Sequence, residues 1–433
     1  MIKKLAAKYS GELKLAVSTV AAQLLPMAVL PMIMRAVSPE GYGSYGLFHS
    51  IVSMAAPLLC LKYDTAVVTV REDKFAAMLA ISCVGLSAAA GVLALGVTAV
   101  LSFWAELPFW AWLLSPTLLF AGIFQGANGV CLRSGAYGRI AFSATVRSIT
   151  LALTQLALAK LFGSTPREDA AALAAGAAVS YAAGSLPLLA PLLSLTGKYR
   201  YSTQNCSGYY ICTKNILETM RKYIPFVRFT FPAAGAASVA SNILSPVISL
   251  FYGSAALGCY SVAAKALAAP ITVISNAVSQ VYFRDVSQKI SAKRMGSTFR
   301  LLVLLALPIY LLLFLAADPL LPRLFGQEWA ASAWLIRLLA PLYAVRFVTV
   351  PFFSTVIAAN RQQDALKWQK RLLLSVVLSL AVIFAPKAPF ALLMVSYSLA
   401  LGWCSIAFCR YNFKLVKKEE ERYGTAEGQN FYG

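Results

Sequence analysis

Twelve apolar stretches divide the chain, each bounded by charged or turn-forming residues: roughly 13–35, 44–70, 75–103, 109–132, 148–163, 170–195, 225–251, 255–283, 300–317, 332–359, 372–386 and 390–408. About 20 predominantly apolar residues cross a bilayer as a helix, and inside lipid the backbone is satisfied only in helices or closed barrels. The expected fold is therefore an all-α polytopic membrane protein with 12 transmembrane helices. Only 13% of the 433 residues are charged, against about 25% in soluble domains. That balance excludes a soluble or disordered chain and leaves no room for a large catalytic domain outside the bilayer.

The 38 Lys and Arg against 17 Asp and Glu give a net charge of +21. In a soluble protein this would suggest nucleic acid. Here the basic residues fall on one side of the expected membrane: 28 lie in the even-numbered loops and both tails, and only Arg35, Arg167, Arg323 and Lys387 in the opposite loops. Short basic loops stay in the cytoplasm, so both termini are expected there. Lys62, Lys160, Arg228, Lys265, Arg337 and Arg346 fall inside spans. Residues 1–195 then form an N-terminal six-helix bundle, 196–224 a basic cytoplasmic linker, 225–408 a C-terminal six-helix bundle and 409–433 a polar cytoplasmic tail. The lysines before the first apolar run imitate a signal peptide, but that run is too long for one and reads as an uncleaved first span.

The composition offers little for cofactor chemistry. Six of the eight cysteines lie in apolar runs, Cys206 and Cys212 share the basic loop, and His49 is the single histidine. No zinc ligand set emerges, and thiols on a cytoplasmic loop stay reduced. GYGSYG at Gly41–Gly46 has the spacing of a dinucleotide fingerprint without the strand and helix context that motif needs. It reads as a turn, with Ser38-Pro39-Glu40 starting the next helix and the glycines letting the chain reverse. No Walker-type GxxxxGK[ST] occurs, which argues against direct ATP drive. No cofactor is expected.

Charged groups within spans are the sharpest signal, because each costs about 2.5–3.5 kcal/mol at the bilayer centre and should face a cavity or a partner. Asp64 is the only acid so placed. Lys62, two positions earlier, lies about 200° away around a helix and does not share its face. Asp64 reads as an ion-coupling or gating group, or as half of a structural ion pair. Lys265 and Arg346 are the two deepest cations, and more fixed positive than negative charge would attract an anionic head group such as a pyrophosphate. Arg228, Arg337 and Lys160 sit near span ends, where snorkelling to the interface competes with a cavity role, and Arg35 stands at the outer end of span one. Gln23, Asn242, Asn276 and Gln280 suit sugar hydroxyls, or simply hold helices together. Prolines 26, 31 and 57 interrupt spans one and two, and prolines 232, 246 and 270 interrupt spans seven and eight. Breaks in corresponding positions of two halves point to a transporter's binding site.

Three strings carry a family resemblance: RAVSPEGYGSYGLFHSIVSMAAPLLCLKYDTAVV, GCYSVAAKALAAPITVISNAVSQVYFRDVSQ, and LFGQEWAASAWLIRLLAPLYAVRFVTVPFFSTVIAANRQQDALKWQKRLLL. In order and spacing they resemble the Wzx-type oligosaccharide flippases of bacterial surface polysaccharide biosynthesis, within the multidrug/oligosaccharidyl-lipid/polysaccharide exporter superfamily. The resemblance implies two six-helix bundles around a central cationic cavity, working by alternating access in the inner (cytoplasmic) membrane. The implied substrate is an undecaprenyl-pyrophosphate-linked oligosaccharide repeat unit, for O-antigen, capsule or related polymers. By the same similarity Arg35, Arg228, Lys265 and Arg346 would bind substrate and Asp64 would serve ion coupling or gating; Gln23, Asn242 and Asn276 join the binding set by residue type, and Lys62, a departure from the family pattern, joins Asp64 by position alone. H+ or Na+ and the polysaccharide polymerase machinery are the further partners implied, and no nucleic acid.

Three rivals stand against this reading. A drug antiporter of the same fold takes mostly cationic substrates, which the basic excess disfavours. A lipid II flippase is expected to carry two further spans. A membrane-embedded polymerase or ligase needs a large outer loop, and these loops are short.

Overall fold

The computed structural model of the protein describes residues 25–163, 165–197, 200–201, 210–211, 213–288, 290–359, 361–384 and 389–429. Its helices in chain order are α1 (Leu25–Met34), α2 (Pro39–Ala55), α3 (Tyr63–Thr69), α4 (Asp73–Ser102), α5 (Phe109–Trp112), α6 (Leu114–Arg133), α7 (Tyr137–Phe162) and α8 (Pro166–Gly197). There follow α9 (Thr213–Asn242), α10 (Leu244–Pro270), α11 (Asn276–Gln288), α12 (Ala292–Phe325), α13 (Ser332–Thr349), α14 (Phe353–Ala358), α15 (Gln362–Leu380) and α16 (Phe390–Gln429). Among the described residues eight helical stretches are long and apolar enough to cross a membrane, or nine if the bent pair Pro39–Leu58 and Tyr63–Thr69 is one span. One of the eight, Thr230–Phe283, has 54 residues. At 1.5 Å per residue it is about 80 Å long, more than two bilayer cores. It is divided between α9 and α10 and broken again at Gly253, where φ is 87°. The protein is thus an all-helical, multi-pass membrane protein, apart from one two-residue parallel pairing of Arg200–Tyr201 with Tyr210–Ile211.

The helices differ from the expected stretches where polar residues keep helical backbone. Helix α7 begins at Tyr137, so Arg139 and Arg147, expected in a loop, are helical; the turn is made just before, at Gly135 with φ 67°. Residues 213–224 of the expected linker form the first turns of α9, and the expected tail stays helical in α16 as far as Gln429. Its run of Lys and Glu suits a solvated helix. The GYGSYG glycines are likewise helical. Ser38 caps α2, its hydroxyl accepting from the Gly41 amide at 3.1 Å and donating to Asp169 Oδ2 at 2.9 Å. Gly43 lies against the Ser254 carbonyl so closely that a Cβ would collide with it. The motif therefore serves helix approach rather than chain reversal.

The chain packs as two compact units, residues 1–258 and 259–433. In the first, α8 lies along α7, α6 and α2, while α4 packs on α6, α3 and α9. Its core is built from small side chains: Cys60, Ala66, Ala76, Ala80, Cys83, Ala127 and Cys131 are all fully buried. Small residues let helices approach where lipid gives no hydrophobic drive. Helix α6 also comes close to its neighbours: a Cβ on Gly129 would fall 2.6 Å from the Asp64 carbonyl oxygen and one on Gly126 would fall 2.8 Å from Cys83 Cβ.

In the second unit α12 packs on α13, and α16 on both α13 and α15. An aromatic nest of Tyr282, Phe299, Phe352 and Phe413 joins α11, α12 and α16, with Tyr282 and Phe352 rings 5.2 Å apart edge to face. At one end Arg361 bridges to Glu419 at 2.9 Å, and Asp364 receives the Tyr411 hydroxyl at 2.7 Å and Lys367 at 3.3 Å. The donating Tyr411 hydroxyl, with Lys367 beside it, holds the Asp364 carboxyl below the usual carboxylate range. A carboxyl with a lowered folded pKa stabilises the fold above its unfolded pKa, about 3.9, and that contribution disappears as pH falls through the folded value.

Two outcomes follow from this packing. Gly129→Ala is expected to lower the thermal midpoint in detergent by overpacking worth about 1–3 kcal/mol. Gly85→Ala, where a Cβ meets nothing within 4 Å, should not lower it. Thermal unfolding of Asp364→Asn should fall below the unchanged protein at pH 5–7, and the gap should shrink as acid protonates the carboxyl in the folded protein; equal curves at every pH would remove Asp364 from the account.

Candidate functional site

Each unit holds a half-buried charged group that no oppositely charged side chain among the described residues pairs with. In the first, the chain breaks after the 3-10 turn Ala56–Leu58 and runs through left-handed backbone at Leu61 (φ 46°) and Lys62 (φ 66°) before α3 begins. Pro57 lies in that turn, so one of the expected proline breaks coincides with a 40° bend. The helical-wheel separation of Lys62 and Asp64 does not apply, because Lys62 is not helical: it occupies the left-handed link, half-buried. Asp64 sits in the first turn of α3. Its Oδ2 accepts from Gln125 Nε2 at 3.2 Å, while its Oδ1 is buried and accepts no hydrogen bond. Asn128, one turn along α6 from Gln125, also has a buried Oδ1 without a donor. Cys83 lies close enough to Asp64 to feel its charge.

The second feature of this unit is Arg147. Its guanidinium carbon is 4.1 Å from the Tyr181 ring centroid and 5.4 Å from that of Phe124, and the two rings are 6.2 Å apart. Gly184 lets α8 pass close by, since a Cβ there would fall 2.8 Å from Arg147 Cβ. Among the described residues no carboxylate or carbonyl takes a hydrogen bond from this guanidinium. Stacking on aromatic faces leaves its in-plane N–H groups available for bidentate contact with an anion. Charge counting assigned Arg147 to a loop; the ten helical residues that precede it in α7 are the signal that places it inside the span.

In the second unit Arg346 occupies a cage of tyrosines, one from each of four helices: Tyr260 of α10, Tyr310 of α12, Tyr343 of α13 and Tyr397 of α16. All four are buried. The Arg346 guanidinium lies 5.6 Å from the Tyr343 ring centroid, and its charge reaches Tyr260, Tyr310 and Tyr397. Tyr310 donates to the Leu267 carbonyl at 3.0 Å. No carboxylate among the described residues pairs with Arg346. Beside the cage, Pro270 is followed by one π turn, Ile271–Ser275, and Ser275 donates to the Phe347 carbonyl at 2.8 Å. Such π turns recur at functional sites because they re-aim side chains. This is a second expected proline break found as an irregular turn; at Pro232, by contrast, α9 runs on to Asn242.

The remaining expected residues are placed as follows. Lys265 is exposed on α10, little more than a turn beyond Tyr260, and Asn276 is half-buried at the start of α11, next to the π turn. Arg228 is exposed on α9 and Arg35 just past α1. Asn242 donates to the Ser238 carbonyl of its own helix at 2.9 Å. Gln23 lies outside the described residues. Arg337, weighed as a snorkelling residue, instead pairs with Asp318 and packs over Phe314.

Comparison with known proteins agrees with this architecture. Residues 191–334 match the family model described as "Polysaccharide biosynthesis protein". The teichuronic acid biosynthesis protein TuaB of Bacillus subtilis (strain 168) is 27% identical over 190 residues, covering 43% of this chain and 39% of TuaB. The match thus spans about two fifths of that relative's length. Among solved structures, the lipid II flippase MurJ in an inward closed conformation aligns with a TM-score of 0.69 at 12% identity, over 94% of this chain and 90% of its own. An inward-facing multidrug resistance MATE family transporter of the MOP superfamily aligns with a TM-score of 0.66 at 14% identity, over 93% and 99%. The protein has the fold shared by these MOP superfamily structures, and the polysaccharide biosynthesis match over residues 191–334 agrees with the resemblance read from its sequence. Those neighbours are a flippase and a transporter, not enzymes.

The Asp64 geometry yields a direct expectation. Gln125→Leu removes the one donor to Asp64 and should destabilise by about 1–3 kcal/mol. Combining it with Asp64→Asn should recover part of that loss, since a neutral amide costs less to bury. Thermal midpoints of the two variants in detergent decide it, and a double variant less stable than Gln125→Leu would contradict the placement.

Proposed function

We propose that the protein flips an undecaprenyl-pyrophosphate-linked oligosaccharide repeat unit from the cytoplasmic to the periplasmic leaflet of the inner membrane, for surface polysaccharide biosynthesis. The observation that carries the reading is the aromatic-held guanidinium without a carboxylate partner among the described residues, Arg346 in one unit and Arg147 in the other. A cation left unpaired in a span is costly unless a ligand neutralises it, and a guanidinium is the side chain best matched to phosphate oxygens. The polysaccharide family match and the fold shared with a lipid II flippase support the same substrate class.

In this reading the chain crosses the membrane twelve times with both termini in the cytoplasm, and works by alternating access. Arg346 in its unit, and Arg147 in the other, each offer contacts to phosphate oxygens, with Lys265, Arg35 and Arg228 adding positive potential. The tyrosine hydroxyls around Arg346, with Asn276 and the amides of Gln23 and Asn242, offer hydrogen bonds to the sugar, and the polyprenyl tail stays in lipid. The π turn after Pro270 and the left-handed link at Lys62 are the flexible points. Asp64 is the coupling group. Its unfilled Oδ1, with Asn128 Oδ1 on the adjoining helix, suits a proton or a small monovalent cation such as Na+. The periplasmic product would pass to a polymerase.

A drug exporter is the second reading, favoured by the fold shared with a MATE family transporter. It fits a site rich in carboxylates better than one built on arginines.

In cells lacking the gene, Arg346→Ala and Arg147→Ala are each expected to cut surface polysaccharide at least about tenfold, with complete lipid-linked units accumulating in the cytoplasmic leaflet. Conservative Arg346→Lys should retain charge without the bidentate fork and give a partial defect. Unimpaired polymer with both alanine variants would contradict the proposal.

A further inference from the structure

The first turns of α9 are amphipathic. Ile216, Met220, Tyr223 and Val227 pack on the α3 and α4 side, while Lys214, Glu218, Arg221 and Lys222 are exposed. This segment is docked by the Tyr63 hydroxyl donating to the Met220 carbonyl at 3.1 Å and by Thr219 Oγ1 resting 3.1 Å from Met78 Sδ. It precedes the apolar stretch that starts at Thr230, and the α4 span starts at Asp73. Lys74 and Lys222 are therefore at one membrane edge, on the side where the short loops are basic.

Between the start of α4 and this segment lies an open pocket of about 240 Å³, lined by Lys74, Phe75, Met78, Asn215, Glu218, Thr219 and Lys222. Met78 and Thr219 are its buried lining, and Glu218 and Lys222 are exposed at its rim. Lys222 Nζ stands 4.2 Å from the Phe75 ring centroid and 5.9 Å from that of Tyr223, which holds the ammonium over the opening. Two lysines against one glutamate leave an excess of one positive charge. Thr219 already donates to the Asn215 carbonyl at 2.7 Å, so the lysines dominate recognition.

We propose that this pocket binds the phosphate of a membrane-lipid head group, with Lys74 and Lys222 contacting the phosphate oxygens and the glycerol end of the lipid lying on Phe75. Lysines within a Debye length of an anionic leaflet each favour such contact, and here two of them share one walled opening. Glu218 at the rim disfavours a second negative charge and sets a preference for a single phosphodiester. This site is independent of the substrate reading above: it uses none of the same residues.

The test uses the full chain, purified in mild detergent and stripped of lipid, then titrated with short-chain phosphatidylglycerol, phosphatidylcholine or glycerol 3-phosphate and read by native mass spectrometry. Phosphatidylglycerol is expected to bind well ahead of phosphatidylcholine, whose choline cation would sit beside the lysines. The Lys74→Gln/Lys222→Gln double variant should weaken phosphatidylglycerol binding about tenfold or more. A control double variant at the basic end of α16, Arg410→Gln/Lys414→Gln, should stay within about twofold of the unchanged chain. Lys74→Gln alone, which leaves the Lys222–Phe75 contact intact, should give an intermediate loss and stands in if the double variant is unstable. Glycerol 3-phosphate binding with the same lysine dependence, and no gain from acyl chains, would assign the site to a soluble phosphate and overturn its lipid character. Equal binding by the Lys74→Gln/Lys222→Gln variant, or an equal loss in the α16 control, would overturn the site itself.

Discussion

A guanidinium inside an apolar helix bundle must be neutralised, solvated or given an aromatic surface, and this protein chooses the third for Arg147 and Arg346. Each side chain lies against rings, and neither has a carboxylate partner among the described residues. The arrangement keeps the charge available. Where the chain uses charge structurally it does the opposite: Arg337 pairs with Asp318, Arg133 with Asp73 at 2.9 Å, and Arg361 with Glu419. The contrast within one molecule separates cations that hold the fold from the two that the proposed function assigns to a ligand.

Small-residue packing is what makes such sites affordable in a membrane. Gly129 and Gly126 bring α6 against α3 and α4, and that approach places Gln125 on the Asp64 carboxylate. Gly184 brings α8 past Arg147 and sets Tyr181 beside it. The irregular backbone sits beside these charged groups. The left-handed link at Leu61 and Lys62 precedes Asp64 by two residues, and the π turn after Pro270 is tied to the carbonyl of Phe347, next to Arg346.

Much of this was legible in the sequence. Apolar runs located the helices, since lipid forces each run to satisfy its own backbone, and Arg346 and Asp64 stood out as charges within those runs. Pro57 and Pro270 marked real irregularities. Arg147 was missed because a basic residue at the edge of a run reads as loop, and only the helix preceding it shows its depth. The tyrosine cage was invisible for another reason: its four members are spread from Tyr260 to Tyr397, and no local pattern joins them. The GYGSYG glycines misled in a third way, because a glycine that permits a turn and one that permits helix contact look alike until the partner, Ser254, is placed. A helical wheel also fails for Lys62 and Asp64, where left-handed backbone removes the helix the wheel assumes.

The most direct measurement is transbilayer movement in liposomes holding the purified protein. A fluorescent undecaprenyl-pyrophosphate-linked oligosaccharide is placed in one leaflet, and its arrival in the other is scored by accessibility to a membrane-impermeant quencher. The account requires movement with the unchanged protein and at least about a tenfold slower rate with Arg346→Ala and with Arg147→Ala, while both variants keep the unchanged thermal midpoint. Movement at equal rates in all three, or none with the unchanged protein alongside efflux of cationic drugs, would contradict it.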